Sequence, residues 1–192
     1  TVIDQSTGEV KAIVGGRGDK TASKTLNRAT DTTRQPGSTF KILAAYSAAL
    51  DAGGLTLASV QDDAPYTYAG ANGKSVNNYD RRYRGFTTLR EAITDSINIV
   101  TVKTLAQAGV SLGWQYVQEY GFTTVDSRDM NEALALGGIT QGVSNLELTA
   151  AYAAIANQGT YIRPKFYTKI LDHDGNVLID NTTPESHTVI KD

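Results

Sequence analysis

Apolar residues along the chain fall into two kinds of pattern, and the change from one to the other sets out the elements. Val2-Ile3 and Val10 to Val14 are β-branched runs separated by Ser6-Thr7-Gly8, which predicts a hairpin over residues 1–16 closed by Gly15-Gly16. Residues 17–37 are polar and loop-like. Phe40, Ile42, Leu43, Ala44, Ala45, Tyr46, Ala48, Ala49 and Leu50 then read as a helix that stops at Gly53-Gly54. Residues 55–85 show no sustained period. They are rich in Gly, Asn, Asp and Tyr (Ala64-Pro65-Tyr66-Thr67-Tyr68, Ala71-Asn72-Gly73, Asn77-Asn78-Tyr79). An extended surface segment is expected there, partly packed through its tyrosines and long enough to be functional.

Helical spacing returns at Thr87 to Ile93, where Thr88 and Glu91 fit a capping box. It continues from Ile99 to Ala106, up to Gly109, and again from Leu112 to Tyr120, up to Gly121. Ala133-Leu134-Ala135-Leu136 runs into Gly137-Gly138, where glycine permits tight turns and close backbone approach. That segment lacks the Gly-Lys-Ser/Thr ending of a phosphate loop and reads as structural. Asn145 to Ala156 is apolar nearly all round, so a buried helix is expected. A second hairpin follows, Phe166 to Leu171 and Val177 to Ile179 about a turn at Asp172 to Asn176, then a polar tail from Asn181. Hairpins at both ends of a helical middle predict an α+β fold, an antiparallel sheet flanked by helices.

Composition narrows the function. The 192 residues are 40% hydrophobic and 20% charged with a net charge of −2, as in ordinary globular proteins. Such a balance offers no electrostatic case for nucleic acid. Arg81-Arg82-Tyr83-Arg84 reads as a solvated loop. The chain has no cysteine, which excludes disulfides, zinc–thiolate sites and thiol nucleophiles. It also has no apolar run of membrane length. Its two histidines, His173 in a turn and His187 in the tail, read as exposed, which argues against a histidine-based triad.

Serine chemistry would therefore use another base, and Arg34-Gln35-Pro36-Gly37-Ser38-Thr39-Phe40-Lys41 supplies one. Pro36-Gly37 breaks the chain immediately before the helix, so Ser38 lies at its mouth, with Lys41 three residues on and on the same face. A serine hydroxyl becomes a nucleophile when a base takes its proton, and lysine serves as that base when burial lowers its pKa. A helix N-terminus also disfavours a cation and offers N–H groups to an oxyanion. The plain alternative is an N-cap serine and an ordinary helical lysine. With 11 Ser and 9 Lys in the chain, one Ser-x-x-Lys has little weight except through its placement.

Ser-x-Asn occurs twice. Ser75-Val76-Asn77 lies in the irregular stretch, where Ser75 reads as a turn serine. Ser96-Ile97-Asn98 lies between apolar helical runs, where both polar side chains are expected to be buried and in need of partners. They either bond locally and kink the helix, or act as proton relay (Ser96) and amide donor and acceptor (Asn98). Asp62-Asp63 and Asp172/Asp174 read as turn formers, and no metal site or cofactor is expected.

Together, Ser-x-x-Lys and Ser-x-Asn resemble the motif set of bacterial penicillin-binding proteins. The segments VIDQSTGEVKAIVGGR, LNRATDTTRQPGSTFK, NYDRRYRGFTTLREAITDSIN and ALGGITQGVSNLELTAAYAAIANQGTYIRP resemble the transpeptidase domain of the bifunctional class A members. The resemblance covers most of the chain. It implies a β-lactamase/transpeptidase-like fold over residues 1–192, with an all-helical subdomain at roughly 55–160. It also implies a D,D-transpeptidase on the extracytoplasmic face of the cell membrane. Ser38 would be the nucleophile toward the D-Ala-D-Ala bond of a peptidoglycan stem, Lys41 its base and Ser96 the relay to the leaving D-Ala. Asn98 would bind Lys41 and the substrate amide, and β-lactams would acylate Ser38.

The third motif of that family, Lys-Thr-Gly, is missing. Lys20-Thr21, Lys24-Thr25 and Lys103-Thr104 are followed by Ala, Leu and Leu. The resemblance therefore implies a truncated domain whose partner, a second fragment of the same protein, carries that strand. The membrane anchor and glycosyltransferase module of class A proteins are not in this sequence either. Two other readings use the same residues, a D,D-carboxypeptidase and a non-catalytic β-lactam sensor. A β-lactamase would also need a deacylating glutamate, for which the sequence offers no match.

Overall fold

The computed structural model of the chain describes residues 1–69 and 73–191. The fold is α+β. Its strands and helices, in order, are β1 (Val2–Ile3), β2 (Val10–Ala12), β3 (Thr33–Arg34), α1 (Ser47–Asp51), β4 (Val60–Asp63), β5 (Tyr66–Thr67), β6 (Ser75–Val76), β7 (Gly85–Thr88), α2 (Leu89–Thr94), α3 (Asn98–Ala108), α4 (Val110–Glu119), β8 (Val143–Ser144), α5 (Asn145–Ala156), β9 (Thr160–Ile162), β10 (Lys169–Leu171), β11 (Val177–Asp180) and β12 (Ser186–Thr188). Among the described residues the strands pair antiparallel in six two-stranded ladders, β1–β2, β3–β8, β4–β7, β5–β6, β9–β12 and β10–β11. None of the described helices is long and apolar enough to cross a membrane.

The chain divides into two compact units. One comprises Thr1–Arg34, Glu119–Phe122 and Val143–Asp192. Both hairpins expected from the sequence lie in it, as β1–β2 and β10–β11. In the second, Asp172 accepts the backbone N–H groups of Asp174 and Asn176 at the turn. Helix α5 starts in a capping box between Ser144 and Glu147 and packs on β1, β8 and β9. It is not wholly buried, as its composition suggested. Ala150, Ala151 and Ala154 are covered, whereas Tyr152 is exposed. Nor is His187 exposed, as its place in the polar tail suggested. His187 lies in β12, half-buried, its ring 5.3 Å from that of Tyr161. The loop over 17–37 also contains β3, whose partner β8 is more than 100 residues away and leaves no local pattern.

The other unit comprises Gln35–Gln118 and Thr123–Gly142. Its centre is α3, which buries Ile99, Val100, Val102 and Leu105. Two threonines share that core. Thr101 and Thr104 donate to the carbonyls of Ile97 (2.6 Å) and Val100 (2.7 Å), so their hydroxyls are satisfied within the helix. Tyr46 packs with Leu89, Ala92, Ile97 and Val100, and its hydroxyl meets Thr101 Oγ1 at 2.8 Å. Burial pushes the Tyr46 phenol up to about 12.

The 55–85 stretch departs most from the sequence reading. It folds as nested hairpins, with β4 paired to β7 outside β5–β6. Strands of two to four residues with mixed burial leave no sustained period to detect. Ser75 is a strand residue of β6, not a turn serine. Asp63 is no turn former; it sits fully buried in β4. Of the expected Ala71-Asn72-Gly73 turn, Ala71 and Asn72 lie outside the described residues.

The capping box at α2 is present in full. Thr88 Oγ1 accepts the Glu91 N–H, while the Glu91 carboxylate accepts the Thr88 N–H at 3.0 Å. Thr88→Ala removes the cap and is expected to lower stability by about 1 kcal/mol in chemical denaturation. An unchanged midpoint would show that tertiary packing alone holds α2.

Candidate functional site

All four residues singled out in the sequence, Ser38, Lys41, Ser96 and Asn98, lie in the unit centred on α3. Pro36 precedes a tight helical turn, Gly37–Thr39, and the chain winds on without a break from Phe40 to Asp51. Ser38 is exposed at this start. The turns over Ile42–Tyr46 are widened, and the Ser47 N–H and hydroxyl both donate to the Ile42 carbonyl. Widened turns of this kind recur at functional sites. The helix is thus less regular than its apolar spacing predicts.

Lys41 is only 3% exposed, since the helix carries it into the core that Phe40 and Leu43 help build. Three oxygens surround its ammonium: the Ser96 carbonyl at 2.5 Å, Ser96 Oγ at 2.9 Å and Asn98 Oδ1 at 2.6 Å. Burial lowers the Lys41 pKa to about 8. The oxygens act the other way, holding the cation, so the two effects together keep the group within reach of both protonation states.

Ser96 and Asn98 are not a kink within one helix. They lie in the break between α2 and α3 and at the first residue of α3. Ser96 has φ +54°, a left-handed conformation rare for a residue other than glycine. Positions of this kind cost about 1–3 kcal/mol and cluster at active sites. The sequence suggested that both polar side chains are buried. In fact Ser96 is exposed and Asn98 half-buried, because the break lifts them to the surface of the core. Asn98 Nδ2 donates to the Asn77 carbonyl at 2.7 Å. With Lys41 a donor and the Asn77 carbonyl an acceptor, only one orientation of the Asn98 amide satisfies both.

Beside Gly37 a cavity of about 640 Å³ opens, lined in part by Tyr68, Lys74, Glu132 and Gly137. Glu132 is buried, and its two oxygens accept from the Tyr66 hydroxyl and the Ala69 N–H, both at 2.9 Å. It ties the start of β5 to the residue two places after that strand. Gly137 has φ +73°, and a Cβ there would stand 2.6 Å from the Gly37 oxygen. The glycine segment therefore presses on the residue before Ser38. Sequence reasoning found the close-packing role of this segment but not its neighbour. It missed Asn77, whose carbonyl bond to Asn98 has no sequence signal beyond an Asn-Asn pair in a long irregular stretch.

The model of the family described as the penicillin binding protein transpeptidase domain matches residues 1–192, and the chain belongs to that family. It is therefore a domain of serine acyltransferase type. Among curated proteins it is similar to penicillin-binding protein 1F of Bacillus subtilis, 42% identical over 179 residues, covering 93% of this chain and 24% of that protein. Penicillin-binding protein 1A of Neisseria flavescens is 41% identical over 180 residues, covering 91% and 22%. The crystal structure of penicillin-binding protein 1A from Haemophilus influenzae superposes with a TM-score of 0.71 at 32% identity, over 86% of this chain and 24% of that one. PonA1 from Mycobacterium tuberculosis, at 23% identity, shares the fold with a TM-score of 0.80 over 98% of this chain and 50% of that one. The chain spans about a quarter of the length of the curated relatives it matches.

Gly137→Ala is expected to cost about 1–3 kcal/mol, through the left-handed backbone and the contact with Gly37. It should also slow any reaction of Ser38. Wild-type stability together with wild-type Ser38 reactivity would show that the contact relaxes without consequence.

Proposed function

We propose that this domain is a D,D-transpeptidase that cross-links peptidoglycan stem peptides through an acyl-enzyme on Ser38, and that β-lactams acylate the same serine. The observation that carries this reading is the buried Lys41 amine, held by Ser96 and Asn98 one helical turn from an exposed serine. The names of the relatives, penicillin-binding proteins, support the ligand class.

Ser38 Oγ attacks the carbonyl of the D-Ala-D-Ala bond, and neutral Lys41 takes its proton. With a pKa of about 8, about a tenth of Lys41 is neutral at pH 7. In that form the amine has two hydrogens and one lone pair. The Ser96 carbonyl and Asn98 Oδ1 can only accept, so they take the two hydrogens. The lone pair is then free for the Ser38 proton, and once it has taken that proton the ammonium can donate to Ser96 Oγ at 2.9 Å. This makes Ser96 the exchange partner of Lys41, able to pass a proton to the leaving D-Ala amine as the carbon–nitrogen bond breaks. The amine of a second stem then attacks the Ser38 ester, forming the cross-link and freeing the hydroxyl. Asn98 keeps Lys41 aimed and offers its amide to the substrate backbone. No cofactor enters the scheme. The Lys-Thr-Gly strand that would bind the substrate carboxylate belongs, on this reading, to a second segment of the protein. Peptidoglycan as substrate places the domain on the extracytoplasmic face of the membrane.

Incubation of the full-length protein with a penicillin should give a covalent adduct on the peptide containing Ser38, seen by intact mass and peptide mapping. Lys41→Ala should abolish it while the fold persists. An adduct on another residue, or full acylation in Lys41→Ala, would refute the assignment. The acylation rate should also rise with pH and level off above about pH 8, as Lys41 loses its proton. A flat rate from about pH 6.5 to 9.5 would remove Lys41 as the base.

A further inference from the structure

Helix α3 begins without a cap of its own. Ile97 stands at the N-cap position and makes no side-chain bond to the first turn. The cap comes from 20 residues back in the sequence. Asn78 Oδ1 accepts the backbone N–H groups of Asn98 at 3.0 Å and Ile99 at 3.1 Å. Asn78 is only 4% exposed. Its Nδ2 donates to both carboxylate oxygens of Asp63, at 2.8 and 3.0 Å, and to the Arg82 carbonyl at 2.8 Å.

Asp63 is fully buried, and its carboxylate also accepts the Arg84 N–H at 2.9 Å. The Arg84 guanidinium lies 3.8 Å from that carboxylate and 3.8 Å from Asp95, the residue before Ser96. A buried carboxylate can only accept, so it forces the NH₂ end of the Asn78 amide toward itself and the oxygen toward α3. Asn77, the next residue, holds the Asn98 side chain through its carbonyl. Backbone and side chain of Asn98 are thus both held from residues 77–78, and Asn98 is one of the two residues that hold Lys41.

We propose that Asp63 and Asn78 are positioning residues for the acyl transfer: Asp63 orients the Asn78 amide, and Asn78 sets the start of α3 so that Ser96 and Asn98 meet Lys41. This rests on the acyl-transfer reading above. The hydrogen bonds of Lys41 go to Ser96 and Asn98, not to these two residues. Their effect passes through the helix start, and a shift of that start by a fraction of an ångström would loosen all three bonds on the amine. A cap that only stabilised α3 would change the fraction of folded protein and leave the chemistry of folded molecules as it was.

The test separates these outcomes. Full-length wild type, Asn78→Ala and Asp63→Asn are mixed with a penicillin, and stopped-flow traces give the non-covalent dissociation constant and the acylation rate constant separately. The melting temperature of each variant is recorded alongside. The acylation rate constant of the folded protein is expected to fall about 10- to 100-fold in Asn78→Ala and about 10-fold in Asp63→Asn, with the dissociation constant within about twofold of wild type. Asp63→Asn keeps the size of the side chain and decides the matter if Asn78→Ala does not fold. Wild-type acylation rate constants in the folded variants, whatever their melting temperatures, would overturn the positioning role and leave the acyl-transfer reading in place. Failure of the wild type to form a Ser38 adduct would overturn that reading and this one with it.

Discussion

A cation kept almost out of water is the constraint around which the α3 unit is arranged. Lys41 is 3% exposed, and no carboxylate pairs with it among the described residues. An isolated buried ammonium is too costly unless it is hydrogen-bonded on every proton or gives one up. Three neutral oxygens from Ser96 and Asn98 supply the first option, and the pKa of about 8 leaves the second open. A carboxylate in their place would lock the charge. Neutral acceptors hold the amine in position without committing it, which suits a group that must take a proton and return it.

Much of the unit follows from placing those oxygens. The widened helix after Ser38 and the central helix α3 share the apolar cluster of Tyr46, Leu89, Ala92, Ile97 and Val100. That cluster brings Lys41 to the start of α3. The left-handed Ser96 turns the chain so that its carbonyl and hydroxyl face the same amine. Backbone strain at one residue is offset by bonds the rest of the site makes there, a distribution expected of functional positions. Gly137 rests against Gly37, the residue before Ser38, leaving no room for a side chain between the two segments.

The helical spacing around Lys41, the cap at Thr88 and both outer hairpins were legible because each is a local signal. A capping box spans four residues, and a hairpin turn little more. Ser38, Lys41, Ser96 and Asn98 could be singled out for the same reason, as short motifs at fixed spacing. Beyond this, the likeness of whole segments to a known family, not their periodicity, pointed to the chemistry. Asp63 reads as a turn residue in sequence yet is buried in β4, since a pair of aspartates looks alike in a turn and in a buried strand.

Local sequence therefore determined where the helices and the two outer hairpins fall, and which serine and lysine share a helical turn. It did so because propensity, capping and side-chain spacing act over a few residues. Tertiary structure alone decided that Lys41 meets Ser96 and Asn98, that Asn78 caps a helix 20 residues away and that Gly137 packs on Gly37. It also decided the burial of Asp63 and the partial exposure of α5. Those outcomes depend on how distant surfaces exclude water from one another, and burial of that kind has no period along the chain.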